Sequence, residues 1–244
     1  MLEIKQLFQE LNIELTDVQQ KQFQRYYELL IEWNQKINLT SITEYDDVLV
    51  KHFADSVSLI KAAEVKEIGE ALLEGKEATL LDIGTGAGFP AIPLKIAFPN
   101  LKVTMIDSLN KRVKFLQLVI EELGLSDIEA YHGRAEEFAT PNQFREKFDF
   151  VVSRAVANLS VLLEYTLPYV KVGGYFVAYK SEDLPNEMAT AGNALQVLGG
   201  RKKTIVQFTL PQSDYGRSLL VVHKQQETPK KYPRKAGTPK DKPL

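Results

Sequence analysis

From Asp17 onward the apolar residues Phe23, Tyr26, Tyr27, Leu30, Trp33 and Ile37 recur at steps of three and four, the spacing that lines one face of an α-helix. Thr16 and Asp17 stand ahead of that face as helix caps. Residues 2–11 carry a shorter helical pattern. Residues 46–63 carry a third, with Val48, Val50, Phe53, Val57, Leu59 and Ile60 on the apolar side. The stretch KINLTSITEYDD between them (36–47) is polar and turn-like. From residue 78 the period changes. Short β-prone runs at 78–83, 102–107, 127–132, 148–153, 174–180, 203–210 and 218–223 alternate with helical stretches near 91–98, 110–123, 160–170 and 185–198. This alternation predicts a doubly wound α/β sheet of seven strands. The last two runs are joined by PQSDYGR, too short for a crossover helix, so that pair should be antiparallel. The expected division is a helical cap (1–75), an α/β domain (76–224) and a tail (225–244).

Charge changes the picture at the tail. The chain of 244 residues has a net charge of −2, but from Lys224 to Leu244 seven basic residues face two acids, leaving −7 on the rest. With four prolines and little apolar content beyond residue 224, the end reads as a mobile basic segment reaching a polyanionic partner, or as a solvated end that only aids solubility. The remaining composition, 44% hydrophobic and 25% charged, is that of an ordinary globular protein. No apolar run approaches membrane-span length. The N-terminus mixes charge throughout and has no secretory h-region, so the expected location is the cytoplasm. The absence of cysteine removes disulfides, thiolate nucleophiles and thiolate metal sites. No metal is expected, and a monomer is the default.

The chemistry concentrates in ATLLDIGTGAGFP, residues 78–90. An apolar run containing Asp82 ends at Gly84, Gly86 and Gly88, and Pro90 opens a helix. Strand, glycine turn and helix in that order set a backbone platform at the C-terminal end of a strand, where open α/β sheets bind ligands. The spacing is GxGxG, and Phe89 stands where a dinucleotide fingerprint wants glycine. No Lys-Ser/Thr pair follows, as a phosphate-binding P-loop requires. A nucleoside ligand without pyrophosphate is favoured. Asp107 ends the next strand, 23 residues after Gly84, where a carboxylate can accept both protons of a ribose diol. Beyond the third strand, in GRAEEF, Glu136 can accept an exocyclic adenine amine. Together these point to S-adenosylmethionine, whose positive sulfonium gives a reason for acids near the site.

Taken together, LLDIGTGAGFPAIPL, GRAEEF, FDFVVSRAVANL, YPRKAGTPKDKPL and the upstream INLTSI and KHFADS resemble the bacterial small-subunit ribosomal RNA methyltransferase G family, also called glucose-inhibited division protein B. The resemblance spans nearly the whole chain. It implies a Rossmann-like enzyme that transfers a methyl group from S-adenosylmethionine to N7 of one guanine of 16S ribosomal RNA. It also implies that Gly84 and Phe89 lie in the cofactor site, Asp107 at the ribose, Ala135 and Glu136 at the adenine, and Arg154 where donor and acceptor meet. Ala91 stands where the family often has glycine, a change that a helix start should tolerate.

The candidate cofactor set is therefore Asp82, Gly84, Gly86, Gly88, Phe89, Asp107, Ser108, Ala135, Glu136 and Arg154. Guanine N7 has a lone pair and no proton, so alignment and exclusion of water suffice without a general base. The positive charge developing on the purine could be answered by Asn38, His52 or Asp55, which with Arg154 form the candidate catalytic set. Arg154 fits substrate phosphate, base stacking or the cofactor carboxylate, with a structural salt bridge as the alternative. The lack of cysteine argues against cytosine carbon methylation, and SRAVA replaces the Asn/Asp-Pro-Pro-aromatic motif of exocyclic-amine enzymes. Arg201, Lys202 and Lys203, with Arg217, are read as a possible extension of an RNA-facing surface beside the tail. Two alternatives stay open: a methyltransferase for small molecules or proteins, and a non-catalytic RNA- or ribosome-binding module on the same fold.

Overall fold

The computed structural model describes residues 2–154, 157–181 and 184–244. The chain opens with α1 (Ile4–Gln9) and α2 (Asp17–Ile37). Thr16 caps α2 reciprocally. Its hydroxyl accepts the Gln19 N–H at 3.3 Å, and the Gln19 side-chain oxygen accepts the Thr16 N–H at 2.8 Å, worth about 1 kcal/mol. The third helical stretch is continuous but changes pitch. It runs through α3 (Tyr45–Val48), a π-helical stretch Leu49–Ala54, α4 (Asp55–Val57) and a 3-10 stretch Ser58–Ala62. Val48 and Phe53 are both fully buried and lie five residues apart, a step that π geometry brings onto one face. The helix α5 (Lys66–Leu73) follows.

The sheet then begins. In chain order come β1 (Ala78–Ile83), α6 (Ala91–Ala97), β2 (Leu101–Asp107), α7 (Asn110–Glu122), β3 (Ile128–His132), α8 (Ala135–Phe138) and β4 (Phe148–Arg154). After them come α9 (Leu159–Thr166), β5 (Val170–Lys180), α10 (Leu184–Thr190), α11 (Gly192–Val197), β6 (Gly200–Thr209) and β7 (Gly216–Lys224). The spatial order is β3-β2-β1-β4-β5-β7-β6. The first five strands are parallel, and β7 runs antiparallel between β5 and β6. The short PQSDYGR link thus makes the antiparallel pair its length requires. The single helix expected over 185–198 is two, divided at Ala191. The order reverses at β1, between β2 and β4, which makes the C-terminal ends of these strands the switch point for ligand binding.

Strand alternation sends side chains to two cores. Leu80 of β1, Val177 of β5 and Val221 of β7 join Phe8, Phe23, Tyr26 and Phe53 from the N-terminal helices. Leu81, Phe176 and Leu220 join Leu159, Leu162 and Leu163 of α9 on the other face. The N-terminal helices therefore share a core with one face of the sheet, which lets them hold the loops at the strand ends.

The tail departs from the mobile segment expected. It turns back over the second core, burying Tyr232 and Thr228, and ends in α12 (Thr238–Asp241). Arg145 donates to the carbonyls of Thr228 (2.5 Å) and Tyr232 (2.8 Å). Arg234 makes a forked ion pair with Glu164, which is fully buried in α9. Lys224 is buried as well. Its ammonium, which burial pulls down to about 8, donates to Leu167 O and Thr228 Oγ1. Two of the cations that described a solvated end from composition, Lys224 and Arg234, are anchors. Among the described residues no helix is long and apolar enough to cross a membrane.

Candidate active site

The glycine turn leaves β1 with Gly84, Gly86 and Gly88 all at positive φ (72°, 63° and 101°). Gly84 donates to Ile106 O at 2.9 Å, tying the turn to β2. A Cβ on Gly86 would meet nothing within 4 Å, so the backbone there borders open space. A Cβ on Gly88 would lie 2.7 Å from the Tyr26 hydroxyl and 2.5 Å from Ile92 Cδ1. Gly88 is therefore needed for packing, while Gly86 faces outward. The Tyr26 hydroxyl, reaching from α2, donates to Ala87 O at 2.5 Å and clamps the turn. Pro90 is the N-cap of α6 and stands one position ahead of the first helical residue.

Beside this turn lies a cleft of about 320 Å³, in the size range of small-ligand pockets. Four of the candidate cofactor residues, Gly84, Ser108, Ala135 and Glu136, line it together with Gly133, Arg134, Tyr165, Gly237 and Lys240. Asp107 sits at the expected strand end but is buried, and its carboxylate accepts the N–H groups of Gly86 and Leu109, each at 2.9 Å. In this structure it organises the turn. Arg112 approaches the same carboxylate at 3.5 Å. Asp82 lies fully buried below the turn. Its Oδ2 accepts the Ala91 N–H at 3.3 Å, and its Oδ1 has no hydrogen-bond partner. Burial raises its carboxyl to about 7, against the opposing pull of Thr85, Ala91 and Arg154.

A second cavity, about 470 Å³, opens at the ends of β4 and β5, lined by Lys51, His52, Asp55, Arg154, Tyr179, Lys180, Ser181, Glu187 and Arg217. Arg154 is its centre. It donates to Lys51 O (3.0 Å), Asp55 Oδ2 (2.9 Å) and His52 Nδ1 (3.2 Å). Arg217, from β7, donates to Asp55 Oδ1 at 3.1 Å, so one carboxylate bridges two guanidinium groups. Because a guanidinium only donates, His52 Nδ1 must be unprotonated. Its Nε2–H then points at Thr40 Oγ1, 2.8 Å away. Burial first, then the charge of Arg154, lowers the imidazole to about 3, which keeps it neutral near pH 7.

Phe89 packs beneath the second cavity, against His52 and Arg154. It is buried, its ring stacks on His52 (4.4 Å between centroids, 14° between planes), and the Arg154 guanidinium carbon lies 5.1 Å from its centroid. Its side chain therefore supports the second cavity, and it is not among the residues lining the cleft. Asn38 joins neither cavity. It is the left-handed C-cap of α2 (φ 48°) and is exposed. Thr40, two residues on, is the polar group that INLTSI delivers to His52. Its support comes from α2, where Asn34 Oδ1 accepts the N–H groups of Leu39 and Thr40. Tyr215, an exposed aromatic whose ring lies 4.7 Å from Lys51 Nζ, was not singled out from sequence either. Ala155 and Val156 of SRAVA lie outside the described residues.

These features can be set beside known proteins. The family model for rRNA small subunit methyltransferase G (GidB) matches residues 19–215. The chain belongs to this family. Curated members of the methyltransferase G family are similar over nearly their whole length. The ribosomal RNA small subunit methyltransferase G of Alkaliphilus metalliredigens is 52% identical over 97% of this chain and 95% of its own. That of Streptococcus gordonii is 50% identical over 99% and 98%. Among solved structures, a putative transferase from Pyrococcus horikoshii shares the fold, with TM-score 0.51 and 19% identity, over 70% of this chain and 64% of its own. As a member of the methyltransferase G family the protein is an enzyme, an rRNA small-subunit methyltransferase.

Proposed function

We propose that the protein transfers the methyl group of S-adenosylmethionine to N7 of a guanine in 16S ribosomal RNA, with the cofactor in the Gly84–Glu136 cleft and the base in the Arg154 cavity. The fit to the cofactor rests on three features: open space over Gly86, an unpartnered buried oxygen on Asp82, and acceptor groups at Ser108 and Glu136. When bound, S-adenosylmethionine supplies an electrophilic methyl carbon on a sulfonium, so the protein need only align and desolvate the acceptor.

The Arg154 cavity suits that task. Guanine presents O6 and N7 as acceptors on one edge. Arg154 and Arg217 are donors fixed by Asp55, able to hold O6 or a neighbouring phosphate while N7 stays free. Lys51 and Lys180 line the same cavity, paired with Asp47 and Glu187. His52 and Asp55 position the arginines: His52 Nδ1 accepts from Arg154, and the two Asp55 oxygens accept from Arg154 and Arg217. The observation that carries the reading is this neutral-His52, Arg154–Asp55–Arg217 cluster, next to a nucleoside-sized cleft at the switch point.

The test is transfer of labelled methyl from S-adenosylmethionine to small ribosomal subunits and to naked 16S RNA, with chemical mapping of the modified base. Label at a guanine N7 is expected. Label found only in protein or metabolites, with none in RNA, would overturn the proposal.

A further inference from the structure

The tail does more than pack. Gly237 and Lys240 form part of the wall of the glycine-turn cleft, opposite the strand ends. We propose that residues 234–244 are a cofactor-holding strap, with Lys240 contacting the nucleoside end of the ligand. This rests on the S-adenosylmethionine reading above.

The anchor is the Arg234–Glu164 pair. Glu164 is fully buried on α9, and among the described residues its side chain accepts from Arg234: from the backbone N–H at 2.8 Å, from Nε at 2.9 and 3.1 Å, and from Nη2 at 2.6 Å. A carboxylate taken out of water needs a fixed, well-aligned partner, and the tail provides it. The next residue on α9, Tyr165, lines the cleft itself. Anchor and wall are thus adjacent. Beyond Arg234 the chain turns at Gly237 (φ 89°), whose absent Cβ would meet nothing within 4 Å. α12 then presents Lys240 to the cleft. Its side chain is exposed and can only donate. The purine nitrogens and ribose oxygens of a nucleoside are acceptors that match it.

The strap predicts that the tail governs cofactor affinity ahead of RNA affinity. The experiment is calorimetric titration with S-adenosylhomocysteine of three proteins: the full chain, a chain ending at Ala236, and Lys240→Ala. Ending at Ala236 keeps Arg234 on Glu164, and Lys240 is a surface residue. The truncation should raise Kd about tenfold and Lys240→Ala about threefold, with RNA affinity and its salt dependence unchanged. A Kd within about twofold of the full chain for both variants, or lost RNA affinity with cofactor affinity intact, would overturn the strap while leaving the cofactor reading standing. Failure of the full chain to bind S-adenosylhomocysteine would overturn that reading and the strap with it.

Discussion

Burial displaces His52 and Asp82 in opposite directions, to about 3 and about 7. As pH falls below the ordinary histidine value, the unfolded chain takes up a proton that folded His52 refuses, so His52 withdraws stability between about 6.5 and 3. Asp82 does the reverse. Its raised carboxyl favours the folded state at low pH, and that advantage is lost as pH climbs from about 3.8 to 7. Over the shared window the two slopes oppose, each at most roughly 1.4 kcal/mol per pH unit. Asp82→Asn should therefore gain stability relative to wild type as pH rises from about 4.5 to about 6.5, and His52→Gln should lose it, in urea unfolding without ligand. Variants that run parallel to wild type would refute both assignments. Thr40→Val tests the partner of His52 directly. It strands the Nε2–H in a buried site at a cost of about 1–3 kcal/mol, and it should lower methyl transfer by freeing the ring that supports Arg154.

At the level of elements, α2 reaches the cofactor cleft through one hydroxyl. Tyr26 is fully buried and its bond to Ala87 holds the middle of the glycine turn. Tyr26→Phe keeps the ring packing and removes that bond. It should cost about 1 kcal/mol of stability and weaken S-adenosylhomocysteine binding severalfold; equal affinity would make the clamp irrelevant to the ligand. The strands and the length of α2 were legible because their hydrophobic periods are strict. Much of the rest was not, for physical reasons that differ by element. The apolar positions in 46–63 identified a helix, but the five-residue step from Val48 to Phe53 was averaged into ordinary periodicity, although it marks the π stretch that precedes Asp55. Asn38 stands in the candidate set as a polar residue at a helix end, and type and spacing do not reveal that it stops that helix in the left-handed conformation and turns outward. Phe89 is put in the cofactor site by the family resemblance, while its ring stacks on His52. The tail was judged by charge and proline content. The signal for its docking lay elsewhere, in one acid inside the apolar helix LSVLLEYT that required a cation.

For the whole molecule, the sheet separates charges that sequence reading grouped together. Arg201 pairs through His223 with Tyr175, near the start of the sheet-forming part of β5, whereas Arg217 lies beyond Ser218, which pairs with Lys180 at the strand's end. The two positions on β7 are six residues apart, or roughly 20 Å along a strand. Arg217 is thus beside Arg154 in the acceptor cavity, while Arg201, Lys202 and Lys203 line a separate depression with His223 and Gln225. Phosphate contacts made far from the reacting base contribute affinity and salt dependence, while contacts at the base decide whether the acceptor is aligned. Replacing Arg201, Lys202 and Lys203 together by Gln should therefore leave the single-turnover rate of methyl transfer at saturating small subunit unchanged. Arg217→Gln should lower that rate about tenfold or more, because it frees one oxygen of Asp55 and loosens Arg154, an effect of roughly 1.4 kcal/mol on the barrier. If the triple variant lost the rate and Arg217→Gln kept it, the base would enter from the other end of the sheet and the Arg154 cavity would be the wrong acceptor site.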